Sequence, residues 1–391
     1  MRFSRLHLLG AALGAGISML AVQSAQASMS GPAQIQIDGG PVGPLQISGG
    51  FDGYGYAMSN AQFGTKTSGV QLGNALIELQ KNSGVLQFTL EVGAYSSFVL
   101  GYPPGTATAG GQNYFSESPL YAGYVTLAPS SHFSISAGQL NSLEGYEGAQ
   151  DWNNYNTLVS ELFYVENAQN RGVEIAVNGG PVTATISLSD GYFTKVTNYV
   201  QYLLTYAPNT NSSYNLFGAF NLGITGPNVS GIGNLLYNNS SMVGAYYTYT
   251  NGNFTMTPEV QYQYNKTINK YGNAGYILGG PTSNIGLALF ADYQFGSSGP
   301  WSIGSFVEYA SESYKKGAVY SGVTPDYFGF GPGSNLYGVS VTPTWQYKDI
   351  FARADLGFIH VNPGSGASGP YGQNGTARNQ LTGLLEAGLL F

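Results

Sequence analysis

The chain has 391 residues, no cysteine and 57 glycines, with 8% charged, 43% hydrophobic and 14% aromatic residues. A soluble domain carries roughly 25% charged residues, and this much apolar and aromatic content excludes a disordered chain. Beyond the first two dozen residues no apolar run approaches the roughly 20 needed for a spanning helix, and a formal net charge of -7 argues against a nucleic-acid partner.

The first element is a leader. Arg2 and Arg5 precede an apolar stretch from Leu8 to Val22, which is followed by Ala25-Gln26-Ala27. This is the layout of a secretory signal peptide over residues 1–27, so the mature chain is expected to begin near Ser28. Losing Arg2 and Arg5 takes the formal charge from -7 to -9. An exported chain without cysteine has no disulfide framework and must be held by size and hydrogen bonding.

From Leu45 onward the pattern has period two. Thr257, Glu259, Gln261 and Gln263 alternate with Pro258, Val260, Tyr262 and Tyr264, and Ser340 to Tyr347 repeats the scheme. A helix would gather its apolar residues three and four apart. About sixteen strands are predicted in this way: 44–57, 70–81, 85–99, 119–128, 132–140, 171–178, 181–190, 196–206, 213–225, 241–250, 253–264, 284–296, 300–311, 336–347, 349–361 and 380–391. Short turns such as Asn82-Ser83-Gly84 and Asn251-Gly252 alternate with longer connections such as 101–118, 141–170 and 312–335.

Short turns on one side and long loops on the other predict an all-β transmembrane, antiparallel up-and-down barrel, one domain over 28–391. Closure is required because an open edge in lipid leaves unpaired backbone groups costing several kcal/mol each. A secreted β-sandwich also alternates, but it does not account for aromatics at the ends of segments about ten residues long. Trp301, Trp345, Tyr206, Tyr249, Tyr264, Tyr293, Phe295 and Tyr347 hold such places, as expected where headgroups meet hydrocarbon.

Parity assigns an inner wall. Asp52, Glu78, Glu91, Glu174, Glu259, Asp292, Glu308, Asp355 and Glu386 are expected to line the pore, with Arg353 as the main basic residue among them. Such a wall attracts cations and repels anions, so a weak cation preference is expected. The connection 141–170 stands apart, with acids Glu144, Glu147, Asp151, Glu161 and Glu166, the aromatics Tyr146, Trp152 and Tyr155, and an apolar patch Leu158 to Val165. It is expected to fold inward as a constriction loop, setting Glu144, Glu147, Asp151 and Trp152 in the pore; the alternative is an external flap. Lysines such as Lys66, Lys195 and Lys315 fall in or beside long loops, at the mouth or against anionic lipopolysaccharide.

Catalysis has little to stand on: after cleavage only His132 and His360 remain, neither with a metal-ligand spacing. No enzyme, cofactor or metal is expected. The last strand sets Leu385, Ala387, Leu389 and the terminal Phe391 on one face; this ending resembles the signal that hands outer-membrane barrels to their assembly machinery.

Gly138-Gln139-Leu140, Glu144-Gly145-Tyr146-Glu147, Asn153 to Phe163, and Asn170-Arg171-Gly172-Val173-Glu174 carry a narrower likeness. On these segments the chain resembles Gram-negative outer-membrane porins, more particularly the β-barrel porin type 2 (OmpL-like) family. That resemblance implies a water-filled channel for passive diffusion of small hydrophilic solutes or ions in the outer membrane. It leaves the oligomer open between monomer and homotrimer. Arg171, Arg353 and Arg378 are the only arginines left after cleavage, so the arginine cluster of general porins is missing. A carbohydrate-specific channel and a plugged structural or adhesive barrel are the alternatives.

Overall fold

The computed structural model describes Met29, Gly31 and residues 34–62, 64–107, 119–167, 169–226, 235–271, 275–296 and 299–391. The leader predicted over 1–27, and Ser28 after it, lie outside these residues. Sixteen strands form the wall: β1 (Pro44–Met58), β2 (Ser68–Lys81), β3 (Leu86–Tyr95), β4 (Leu120–Ser130), β5 (Phe133–Asn141), β6 (Gln169–Asn178), β7 (Val182–Ser189) and β8 (Tyr199–Asn209). The second half comprises β9 (Ser212–Asn221), β10 (Ser241–Asn251), β11 (Phe254–Asn265), β12 (Thr282–Gln294), β13 (Trp301–Tyr314), β14 (Asn335–Tyr347), β15 (Ile350–Asn362) and β16 (Asn379–Leu390).

Each strand pairs antiparallel with the next, and β1 pairs with β16 from Gly50↔Leu390 to Met58↔Thr382. The ring is therefore closed. Glycine-bearing turns such as Asn251-Gly252, where Gly252 has φ 61°, supply the left-handed backbone that tight hairpins need. Among the described residues no helix is long and apolar enough to cross a membrane.

Alternation becomes geometry in β11, where Thr257 and Gln261 are 0% and 1% exposed but Val260 between them is 41% exposed. Leu287, Leu289, Leu356 and Leu385 share the outer face with Val260. Near the short turns that face carries a file of rings, Tyr206–Tyr214–Tyr247–Tyr249, with successive centroids 6.1, 4.6 and 6.4 Å apart. Trp301 and Tyr347 extend the band, half-exposed, at the depth where amphipathic rings are favoured. Replacing Val260 with arginine is expected to cost about 2–4 kcal/mol in lipid. Denaturant titration in liposomes reads this, and an unchanged midpoint would contradict a lipid-facing Val260.

The structure adds elements that alternation did not reveal. A short strand, Ile35–Asp38, pairs with the start of β1. Met29, ahead of it, is buried in one cluster with Trp152, Phe351 and Leu390. The segment expected to run unbroken over 85–99 splits: β3 stops at Tyr95, and Phe98–Val99 leaves the wall to pair in parallel with Leu158–Val159. Its buried Phe98 and Val99 pack in the interior rather than continuing the ladder.

Candidate functional site

The connection between β5 and β6, hereafter L3, folds into the barrel and packs on its inner wall. Apart from the half-buried Tyr164, its apolar patch and a single-turn helix, α1 (Glu161–Tyr164), are buried, which a loop waving in water could not achieve. The wall makes room by lacking side chains. A Cβ on Gly50 would come within 2.8 Å of the Trp152 ring, one on Gly286 within 2.7 Å of Leu162, and one on Gly304 would strike the Tyr155 carbonyl.

The first half of L3 is clamped by charge. On β15, Arg353 donates through Nε and Nη2 to the two Glu386 oxygens, at 3.0 and 3.1 Å, and through Nη1 to the Asp151 carbonyl at 3.0 Å. Its Nη2 also lies 3.5 Å from the Asp151 carboxylate. Asn74 on β2 donates to Asp52 and Asp151 at 2.9 and 3.1 Å. Asn156 then reaches Ser340 and Thr342 on β14, and the Leu158 amide donates to Asp355 at 2.9 Å. Carboxylate oxygens of Asp52, Asp151 and Glu386 lie within 4.8 Å of one another, and Arg353 is their counter-charge.

The second half meets the wall differently. The Glu161 amide donates to Glu308 on β13 at 2.7 Å, while Gln261 and Gln263 on β11 donate to the Leu162 and Val165 carbonyls at 2.9 and 3.3 Å. Glu144 accepts from Tyr199, Gln201 and the Asn167 amide. Glu147 accepts from the Ser160 amide at 3.0 Å and from its hydroxyl. Burial pushes the Glu147 carboxyl up to about 7 in spite of those bonds, and pushes Glu144 up as well. Glu161 and Glu166 are held well above the usual carboxylate range by burial, then by the carboxylates beside them.

The inward acids fall into two groups. Asp52, Glu259, Asp292, Glu308, Asp355 and Glu386 are buried with Arg353, and in L3 Glu144, Asp151 and Trp152 are buried too. Glu78, Glu91, Glu174 and the L3 residue Glu147 keep partial exposure. Glu78 stands directly opposite Glu91 across β2 and β3, Ser48 donates to Glu78 at 3.3 Å, and Gln150 of L3 donates to Glu91 at 2.9 Å. Glu174 is flanked in register by Ser136 and Ser187.

Sequence reasoning missed Glu312, buried on β13 and accepting from the Phe328 amide at 2.7 Å. The alternation Glu308, Ala310, Glu312 was available to find it had the strand not been ended at 311. It also missed Asn74, whose amide joins the wall to L3. His360 bonds Asn379 and Asn362 at 2.5 and 3.2 Å, both on neighbouring wall positions.

A closed sixteen-stranded barrel, apolar outside and polar inside, with a long loop folded into its lumen, is the architecture of a porin, a general channel of the outer membrane. The family model described as "Putative beta-barrel porin-2, OmpL-like" matches residues 44–391, and the chain belongs to that family. Among solved structures the fold is similar to an anion-selective porin from Comamonas acidovorans, with TM-score 0.55, 13% identity, and 89% of this chain and 99% of that one covered. It is similar also to OmpT, an outer membrane protein of Vibrio cholerae, as expressed in the outer membrane, with TM-score 0.55, 8% identity, and 90% and 99% covered. OmpF of Salmonella typhi, in complex with daunomycin, aligns with TM-score 0.51, 12% identity, and 92% and 100% covered. No curated protein matches the chain in sequence.

Proposed function

We propose that the protein is a narrow, weakly cation-preferring porin through which small hydrophilic solutes and ions diffuse passively, with L3 as its constriction. One observation carries this reading: among the described residues, the inward face of a closed barrel bears ten carboxylates, counting Glu312, against the single guanidinium of Arg353. Fixed negative charge along a confined aqueous path favours cations. The half of the wall around Arg353 is sealed by L3, so the water path runs along β2 to β6, where Glu78, Glu91 and Glu174 keep their exposure.

Residues 1–27 act as the export signal, and the strand ending in Phe391 is the handle for barrel assembly. Lipid meets the outer face, lipopolysaccharide meets the loop lysines, and a homotrimer is consistent with the trimer form in which OmpT of Vibrio cholerae is found. The test is the zero-current potential in a planar bilayer under a salt gradient, together with deletion of 146–156. Cation preference and a higher single-channel conductance after deletion are the expected results. An anion preference would overturn the selectivity, and unchanged conductance would remove L3 from the path. Burial of the acids around Arg353 favours, as a second reading, a plugged structural barrel, which would pass no current.

A further inference from the structure

We infer that the outer face over β8 to β13 holds one zwitterionic phospholipid, its acyl chain in a groove that climbs from the tyrosine band toward the bilayer centre. The site draws on the lipid-facing wall alone and is independent of what passes through the lumen. A hollow of about 890 Å³ opens there, within the roughly 300–1,000 Å³ of ordinary ligand sites. Its floor is low because two outward positions are short. Ala245 on β10 stands in register between Leu216 and Val260. Pro258 on β11 pairs with Leu289 on one side but has no N–H to donate. On its other side the ladder to β10 skips from Tyr246↔Glu259 to Tyr249↔Met256. Leu204, Leu216, Leu287, Leu289 and Val307 rise around this floor, half-exposed.

The groove runs in the direction a lipid chain takes. Tyr214 lies two residues into β9, Pro258 four into β11 and Val307 six into β13. All three strands start at short turns, so the lining moves away from the short-turn side as it crosses the wall. From β9 to β13 that path covers about 19 Å at the usual strand spacing. Half of a 30 Å hydrocarbon core is about 15 Å, so a chain lying aslant fits it. At the lower end Tyr206, Tyr214 and Tyr247 line the mouth, and the Tyr247 and Ser212 hydroxyls are 3.2 Å apart. Such rings sit at headgroup depth with their hydroxyls toward water.

The turns beside this mouth choose the headgroup. Ala207 to Ser213, Thr250 to Thr255 and Gln294 to Pro300 carry amides and hydroxyls but no charged residue. The lysines beside short turns are elsewhere, Lys81 at the end of β2 and Lys348 between β14 and β15. Anionic lipids are held by basic clusters, so a mouth of neutral hydrogen-bonding groups favours a headgroup without net charge. The occupant is therefore a phospholipid of the leaflet on the short-turn side.

The full chain, delipidated in neutral detergent and mixed with palmitoyl-oleoyl phosphatidylethanolamine, is passed over a sizing column and its bound lipid counted by mass spectrometry. One phosphatidylethanolamine per barrel is expected to stay with the wild type, whereas phosphatidylglycerol with the same chains should wash away. Ala245→Phe, which fills the floor, should lose the lipid. Ala354→Phe, on the outer face of β15, should keep it. Val307→Ala lowers one wall and should weaken retention, which tests the site even if the phenylalanine at 245 prevents folding. Retention equal to wild type in both groove variants, or no lipid on the wild type, overturns the site. So does a preference for phosphatidylglycerol. Wild-type oligomers that bind no lipid and fall to monomers in Ala245→Phe would give the groove to a second copy of the chain instead.

Discussion

Replacing Arg353 with methionine is expected to free the first half of L3 and raise single-channel conductance several-fold. The guanidinium makes the only charged contacts among the described residues that hold Asp151 to Glu386, and it also binds the Asp151 carbonyl. Methionine keeps much of the volume and removes the charge. Glu386 and Asp151 would then be left buried without their cation, a change that typically costs about 3–5 kcal/mol. The barrel has a simpler response than unfolding: release residues 151–157 and hydrate both carboxylates. Chymotrypsin should therefore begin to cut at Trp152 and Tyr155, which are buried in the intact protein. Adding Glu386→Gln removes one of the orphaned charges and should recover part of the protection. An R353M protein with unchanged conductance and no new cleavage would show that the guanidinium is not what holds L3.

Much of this molecule was legible before its coordinates. The wall was, because a strand between lipid and water must alternate, and a slip of one residue would turn every side chain to the wrong face. Thr257 to Tyr264 show this plainly: the parity read from the sequence is the parity of burial along β11. Glu312 escaped because Ser311-Glu312-Ser313 is polar on both parities and reads as the start of a loop. The Ile35–Asp38 strand escaped because it is only four residues long, and the break after Tyr95 escaped because Phe98 and Val99 are as apolar as a strand demands. That Arg353 meets Asp151 could not be read at all. The two are 202 positions apart, and their meeting depends on the wall register and on which wall glycines leave room for the loop. Composition shows that acids outnumber bases; it does not show which of them share the one buried arginine.

The division between sealed and water-reached acids has a measurable consequence, because only charge that meets the moving ion can select it. Neutralising Glu78 and Glu174 with glutamine is expected to abolish most of the cation preference, although eight inward carboxylates remain. A unit charge 4 Å from an ion in water is worth about 1 kcal/mol, which is roughly fivefold in local concentration. Each replacement is therefore expected to lower the cation-over-anion permeability ratio by up to about fivefold at low salt, an effect that fades near 1 M, where screening reaches about 3 Å. Glu78 should weigh more than its own charge, since it stands directly opposite Glu91 and like charges across a ladder are relieved by a cation passing between them. Asp355 makes the opposite case: it is buried and its oxygens are taken by Ser340, Thr342 and the Leu158 amide, so Asp355→Asn should loosen L3 while leaving the zero-current potential nearly where it was. If E78Q and E174Q left the potential unmoved and D355N shifted it, ions would be passing on the Arg353 side of the loop, and the path assigned to β2 through β6 would be wrong.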